Sequence, residues 1–564
     1  MLGALDLTMM GIGGIIGAGV FVLTGVVAHN DAGPAVVLSY AIAALVALGC
    51  ALCYTEFAVD MPVTGGAYNY IVHTFGELLA WLVAWNLLLE YTLSVSAVAR
   101  GFTSYFATAV GLHPDDLRVP VGPVRLDFPA LGSIGLLCCL LAYGTRESAR
   151  FNTAVTGMNL VVICFIMGVG FPLGFKASNL TPFAPMGVRG VFGGASRVFF
   201  SFVGFDTLAT TAEEVKNPAV DLPIGILGAI GICAVLYAAM SLVICGMVPY
   251  QDMDVDAPFS QAFVAVGQGW AAEVVSVGAV TGIVTSMMVS LIGATRIYVV
   301  LGRERLCTPW FAAVHARRNT PVNAVIATGL TSGALAFVVD IEALADLVSI
   351  GTLFVAVVVA GGILMRRYTM PEQARRAPVH WRLLALVAAS LGFSTAAGAV
   401  GPDGRTPVHW GVPLAFFLAI AAVTASFAAL PKVGPVPKFA VPLTPYVPCL
   451  AIWAGLHLIC SLGWKAYVRF VVWVVLGLFL YVTYGVVHTA GSGAEVVADA
   501  GGLQMGEVTA RRDSNFEGTS LLEAGEETSD LQEVDLEVVG DEEAAAEGVG
   551  EAEGAGRGAV DVGR

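Results

Sequence analysis

Charge is scarce in this chain. Of 564 residues only 13% are Asp, Glu, Lys or Arg, about half of the ~25% that soluble domains carry. Hydrophobic residues make up 57% and the mean hydropathy is +0.79, which excludes an ordinary soluble domain and fits an all-α polytopic membrane protein. Catalytic motifs are missing too. No HExxH, GxSxG or GxxxxGK occurs, so zinc hydrolysis, serine acyl transfer and P-loop ATP use lack support, and a membrane-embedded enzyme with them. The eight histidines have no ligand spacing, and the ten cysteines, Cys50, Cys53, Cys138 and Cys139 among them, lack partner clusters. They read as packing residues. No cofactor, metal or nucleic-acid partner is expected. A cleavable signal peptide is not evident either, because the first apolar run starts almost at Met1 and more spans follow.

The formal charge of −15 is local. Residues 491–564 hold 19 acids and 4 bases, leaving 24 of each for residues 1–490. The tail is rich in Glu, Gly and Ala with few aromatics and reads as a disordered cytosolic extension.

Apolar runs of spanning length occur at 8–28, 35–59, 77–110, 130–145, 153–175, 191–212, 223–248, 272–300, 322–340, 343–366, 383–400, 411–430, 446–463 and 467–488, about 14 in all. An even count puts both termini on one side. With that side cytosolic, cytosolic loops hold fourteen Lys and Arg residues and external loops seven, as the positive-inside rule requires.

The stretch "GIGGIIGAGVFVLTG" (residues 11–25) carries six glycines in mid-span. Irregular backbone at that depth is tolerated only beside protein or a water-filled cavity, and a broken helix there exposes N–H and C=O groups suited to a zwitterion. The competing reading is a packing face built on Gly13 and Gly17. Span six favours the break, because Gly204 and Asp206 interrupt "RVFFSFVGFDTLATTAEEV". Interruptions five spans apart fit an inverted five-plus-five repeat, with the binding site where the two meet.

"GIGGIIGAGVFVLTG", "PVTGGAYNY", "WNLLLEY", "GFDTLATTAEEVKNP", "GATRIYVVLGRERL" and "TPVNA", with the segment running from "PYVPCLAIW" to "GVVHT", resemble the cationic amino acid transporters of the amino acid–polyamine–organocation superfamily. The resemblance covers about residues 5–490. It implies a LeuT-type fold: a ten-helix core over 1–366, with inverted repeats at about 8–175 and 191–366, four further spans over 367–490, and then the tail. It also implies amino acid transport. Carried over by matched motif, Ile15, Ile16, Gly17, Ala18 and Gly19 wrap the substrate's α-carboxylate and α-ammonium. Phe200, Ser201 and Val203 supply carbonyls and an aromatic gate.

Glu90, deep in span three, needs an interior partner, since a carboxylate there costs about 3 kcal/mol. It either orients a cationic side chain or forms a structural pair, for example with Arg100. Asp206 either caps the second half-helix or contacts substrate. Ser290 stands where similar sequences selective for smaller neutral amino acids carry methionine, and leaves room for a long basic side chain unless it merely back-bonds to its own helix. Asn159 stands where some relatives carry a lysine that occupies a cation position, and asparagine cannot titrate. Glu56, Glu213 and Glu214, near cytosolic span ends, shape a gate or cap helices.

The expectation is a secondary transporter of cationic amino acids such as arginine and lysine, embedded in a lipid bilayer. A transporter of neutral or mixed amino acids and an amino acid sensor on the same fold are the alternatives. In the tail, Glu517 stands four residues before Leu521 and Leu522. That spacing resembles an acidic-dileucine signal for vesicle-sorting adaptors, in competition with an inert solvated tail. The membrane is then the plasma membrane or a vacuolar or lysosomal one.

Overall fold

A chain this apolar must satisfy its backbone internally, and helices do so within each segment. The computed structural model describes residues 2–486 apart from 64, 123, 144, 316–319, 340, 370–377, 400–409 and 433–437. The tail, with Glu517, Leu521 and Leu522, lies outside the described residues.

The first half comprises α1 (Ala4–Ile15), α2 (Thr24–Val27), α3 (Val36–Asp60), α4 (Ala67–Phe75), α5 (Glu77–Ala109), α6 (Phe128–Tyr143), α7 (Thr145–Gly174), α8 (Gly187–Val198) and α9 (Phe205–Ala209). The second comprises α10 (Pro218–Met247), α11 (Pro258–Ala265), α12 (Gly269–Arg303), α13 (Val322–Val338), α14 (Ile341–Tyr368), α15 (Pro378–Ala399), α16 (Gly411–Ala428), α17 (Tyr446–Ser461) and α18 (Trp464–Leu480). Among the described residues nine helical segments are long and apolar enough to cross a membrane. Of the expected spans, the first enters that set only with its part past the break, inside the segment Gly19–Asp60, and the interrupted sixth and three apolar helices, α6, α13 and α17, of 16, 17 and 16 residues, lie outside it. Leu45, Leu136, Val161, Val235 and Leu330, in the middle of α3, α6, α7, α10 and α13, are exposed. Large apolar side chains displayed in mid-helix are what lipid contact requires.

Each end of the bundle is tied by charge. Between α5 and α6 an antiparallel hairpin pairs Arg118–Val121 with Val124–Asp127. The buried Asp127 accepts from Thr103 at 2.6 Å, from the Ala130 N–H at 3.0 Å and from Arg118 at 3.2 Å. Arg100 stands 4.0 Å from the same carboxylate and donates to the carbonyls of Ala336 and Arg125. Arg100 therefore belongs to this network and is not the partner of Glu90; ten residues of helix, about 15 Å, separate the two.

At the other end, Glu56 on α3 takes Arg367 Nε of α14 at 2.8 Å and the Val441 N–H at 2.7 Å. Asp60 holds Arg366 at 3.1 Å and the Lys438 N–H at 3.2 Å. Glu214 pairs with Arg296 of α12 at 2.6 Å, while its carbonyl accepts the Leu2 N–H. Glu56 and Glu214 thus join elements rather than cap helices.

Candidate binding site at the two helix breaks

The first interruption falls where the glycines cluster. α1 stops at Ile15, Ile16 is extended (φ −79°, ψ 102°), and the chain resumes as a wide π turn over Gly19–Leu23. In the sixth span α8 tightens into a 3₁₀ turn over Phe199–Phe202. Val203 is then extended and Gly204 left-handed (φ +116°) before α9 begins. An L side chain rarely adopts that φ, which explains glycine at 204.

The two breaks lie on each other. A Cβ on Gly204 would come within 3.0 Å of the Gly14 backbone, and one on Gly19 within 2.5 Å of Ser201 Cα. Gly13 and Gly17 do not form one packing face. Gly13 abuts Thr156 on α7, whereas Gly17 abuts Ser286 on α12, where a Cβ would meet the serine Cβ and Oγ at 2.5 Å. Ser286 Oγ also donates to the Gly14 carbonyl at 3.0 Å. Ile15, Ile16, Gly17, Ala18, Gly19, Phe200, Ser201 and Val203 are all buried in or beside the breaks.

Glu90 on α5 is 1% exposed. Among the described residues no hydrogen bond within 3.5 Å reaches either carboxylate oxygen and no arginine or lysine pairs with it; the Thr352 hydroxyl of α14 is the polar group beside it. One turn along, Ser94 meets Ser290 of α12 at 3.2 Å, so Glu90 and Ser290 belong to facing helices joined beside the acid. Asp206 is not the helix cap. The left-handed Gly204 starts α9 two residues earlier, leaving the acid in the first turn, where it accepts the Tyr91 hydroxyl and faces the backbone N–H groups of Gly204 and Thr207. Two carboxylates without a basic partner in an interior site are costly unless a cation reaches them.

Asn159 lies on α7 against Gly282 of α12. Asn152 and Thr156 share its helix face at i,i+4 and i,i+3 spacing. All three are buried with unpartnered polar atoms. The N-x3-T-x2-N spacing is the sequence trace of this face. Three tyrosines were missed. Tyr91 holds Asp206, Tyr40 Oη lies 2.8 Å from Thr24 Oγ1 and 3.4 Å from Ser201 Oγ, and Tyr237 reaches both breaks. Tyrosine in mid-span, where its hydroxyl needs a partner, was the available signal.

Comparison with known proteins bears on this geometry. A model of the amino acid permease family matches residues 2–444, and one of the permease C-terminus matches 439–489. Cationic amino acid transporter 1 of Arabidopsis thaliana is 38% identical over 510 residues, covering 89% of this chain and 85% of that protein. The branched-chain amino acid permease BcaP of Bacillus subtilis (strain 168) is 35% identical over 498 residues, 86% of this chain and 93% of its own. The methylthioribose transporter of the same bacterium is 40% identical over 380 residues, 66% and 82% of the two chains.

Proposed function

The chain belongs to the amino acid permease family, and we propose that it is a secondary transporter of cationic amino acids working by alternating access. The observation that carries the cationic preference is Glu90, buried beside the breaks with no arginine or lysine paired to it among the described residues and only the Thr352 hydroxyl of α14 beside it. An arginine or lysine side chain supplies the missing charge, while the open backbone of the two breaks takes the α-ammonium and α-carboxylate. Ser290, a small side chain, takes up less of this space than the methionine of relatives selective for smaller neutral amino acids.

The architecture that goes with this reading has fourteen spans, a five-plus-five inverted repeat over 8–175 and 191–366, four added helices over 367–490, and both ends of the chain on the cytosolic side. The work performed is transport rather than catalysis. Asn159 supplies no proton at its position, so coupling to a pH gradient by that route is absent. The tail signal at Glu517, Leu521 and Leu522 recruits a sorting adaptor that directs the protein to an internal membrane.

BcaP, named for branched-chain substrates, favours a second reading in which the side-chain site takes neutral amino acids. Purified protein in liposomes, offered labelled arginine, lysine, leucine and glutamate with and without a pH gradient, separates these. Accumulation of arginine and lysine supports the proposal, and preference for leucine supports the second reading. Binding without accumulation identifies a sensor.

A further inference from the structure

The two broken spans share one hydroxyl. Tyr237, fully buried in the middle of α10, brings its phenol oxygen 2.8 Å from the Ile15 carbonyl oxygen and 3.1 Å from that of Ser201. A helix that ends inside a bundle leaves carbonyls without intrahelical donors, and a buried carbonyl left unbonded costs about 1–3 kcal/mol. Here one donor serves both interruptions. Since a phenol carries a single O–H, it can serve two acceptors only if both converge on it.

Two neighbours fix the phenol and the breaks together. The Tyr237 ring lies 5.4 Å from the Tyr40 ring and 5.3 Å from that of Phe202, centroid to centroid. Phe202 belongs to the turn that opens the sixth-span break, and Tyr40 reaches the Ser201 hydroxyl. The close approaches of Gly19 to Ser201 and of Gly204 to Gly14 make the backbone of one break the wall of the other. A relative slip of the two segments would therefore displace every peptide group between them. α10 packs on α1, α3 and α7, so the bond comes from a helix other than those carrying Glu90 and Ser290.

We propose that Tyr237 is a positioning residue for recognition of the substrate backbone: its hydroxyl holds the Ile15 and Ser201 carbonyls in register, so that both breaks address the α-ammonium and α-carboxylate of one amino acid. This rests on the reading of the breaks as the substrate seat. Because every amino acid has the same backbone, loss of the hydroxyl acts on all substrates alike, whereas Glu90 and Ser290 act on the side chain.

The test is Tyr237→Phe in the full chain, reconstituted in liposomes, with KM and turnover per folded transporter measured for arginine and alanine. The expected result is a rise in KM of about three- to tenfold, the range one hydrogen bond supplies. The rise is the same for both substrates, and turnover stays within about threefold. Tyr105→Phe is the control, since Tyr105 donates to the Phe21 carbonyl at 2.6 Å, past the break. It should lower thermal stability without changing KM. Ligand-induced thermal stabilisation of purified Tyr237→Phe repeats the comparison on folded molecules alone. An unchanged KM for Tyr237→Phe, a change confined to one substrate, or an equal rise in Tyr105→Phe overturns the proposal. Failure of the unsubstituted protein to bind any amino acid sinks the functional reading itself, a result seen before either variant is made.

Discussion

Ser94 of α5 and Ser290 of α12 meet hydroxyl to hydroxyl at 3.2 Å, one helical turn from the buried carboxylate of Glu90. That contact joins α5 to α12 one turn from the acid and does not engage the carboxylate itself. Glu90→Gln keeps the shape and removes the charge. A charged hydrogen bond contributes about 1.5–3 kcal/mol, so arginine and lysine uptake should fall about tenfold or more relative to alanine. Ser290→Met should shift the ratio in the same direction by filling space. Uptake ratios measured in liposomes decide, and equal losses for all three substrates would make Glu90 a structural group.

Both breaks could be read from the chain because glycines in mid-span, at residues 11–25 and at Gly204, mark either a packing face or a break, and the backbone stops being α-helical at both. Glu90 was legible from depth alone. Its lack of a basic partner was not: naming Arg100 required knowing how far α5 runs beyond the acid and that a hairpin carboxylate waits there. Of the two readings of Asp206, the cap gives way because a left-handed glycine two residues earlier starts α9. The tyrosines escaped because a hydroxyl that bonds another span leaves no periodic trace in its own. Tyr237 and Ile15 are 222 positions apart.

Close approach at Gly17 leads to a prediction about α12. Since an added Cβ would stand 2.5 Å from Ser286 Cβ and Oγ, even Gly17→Ala must push the helix away. Uptake should be lost by this variant. Ser286→Gly removes both atoms in conflict, so Gly17→Ala/Ser286→Gly should regain part of the activity, incompletely because the bond from Ser286 to the Gly14 carbonyl is gone. No rescue, with normal membrane delivery of both variants, would show that the glycine serves something other than this contact.

Energy coupling follows from the α7 face against α1 and α12, where Asn152, Thr156 and Asn159 offer no titratable group. Uptake of a cationic substrate should then follow the membrane potential, since a translocated unit charge gains about 2.3 kcal/mol per 100 mV. Imposing an inside-negative potasium-diffusion potential at equal pH should drive arginine accumulation, with alanine little affected. Dependence on a pH gradient at zero potential would contradict this and point to Glu90 or Asp206 as the proton carrier.

The tail makes a prediction about address. If the acid at Glu517 and the Leu521–Leu522 pair are read by a sorting adaptor, Leu521→Ala/Leu522→Ala should move a fluorescently tagged protein from an internal membrane to the plasma membrane. An unchanged distribution would leave the tail as a solvated acidic extension.

The strongest stability effect should come from the end of the bundle where Glu56 is buried. Its carboxylate takes Arg367 on one oxygen and the Val441 N–H on the other, joining α3, α14 and the segment that leads into α17. Removing only the guanidinium strands a buried charge, at about 3–5 kcal/mol. Arg367→Met should therefore lower the thermal midpoint of the purified protein markedly. Glu56→Gln keeps an acceptor for Val441, and with Arg367→Met it removes both charges at once. The double variant should recover most of the loss, because a buried pair contributes little beyond its own desolvation. If it is instead as unstable as Arg367→Met, the instability comes from lost packing of the arginine stem against α3 and not from the uncompensated carboxylate.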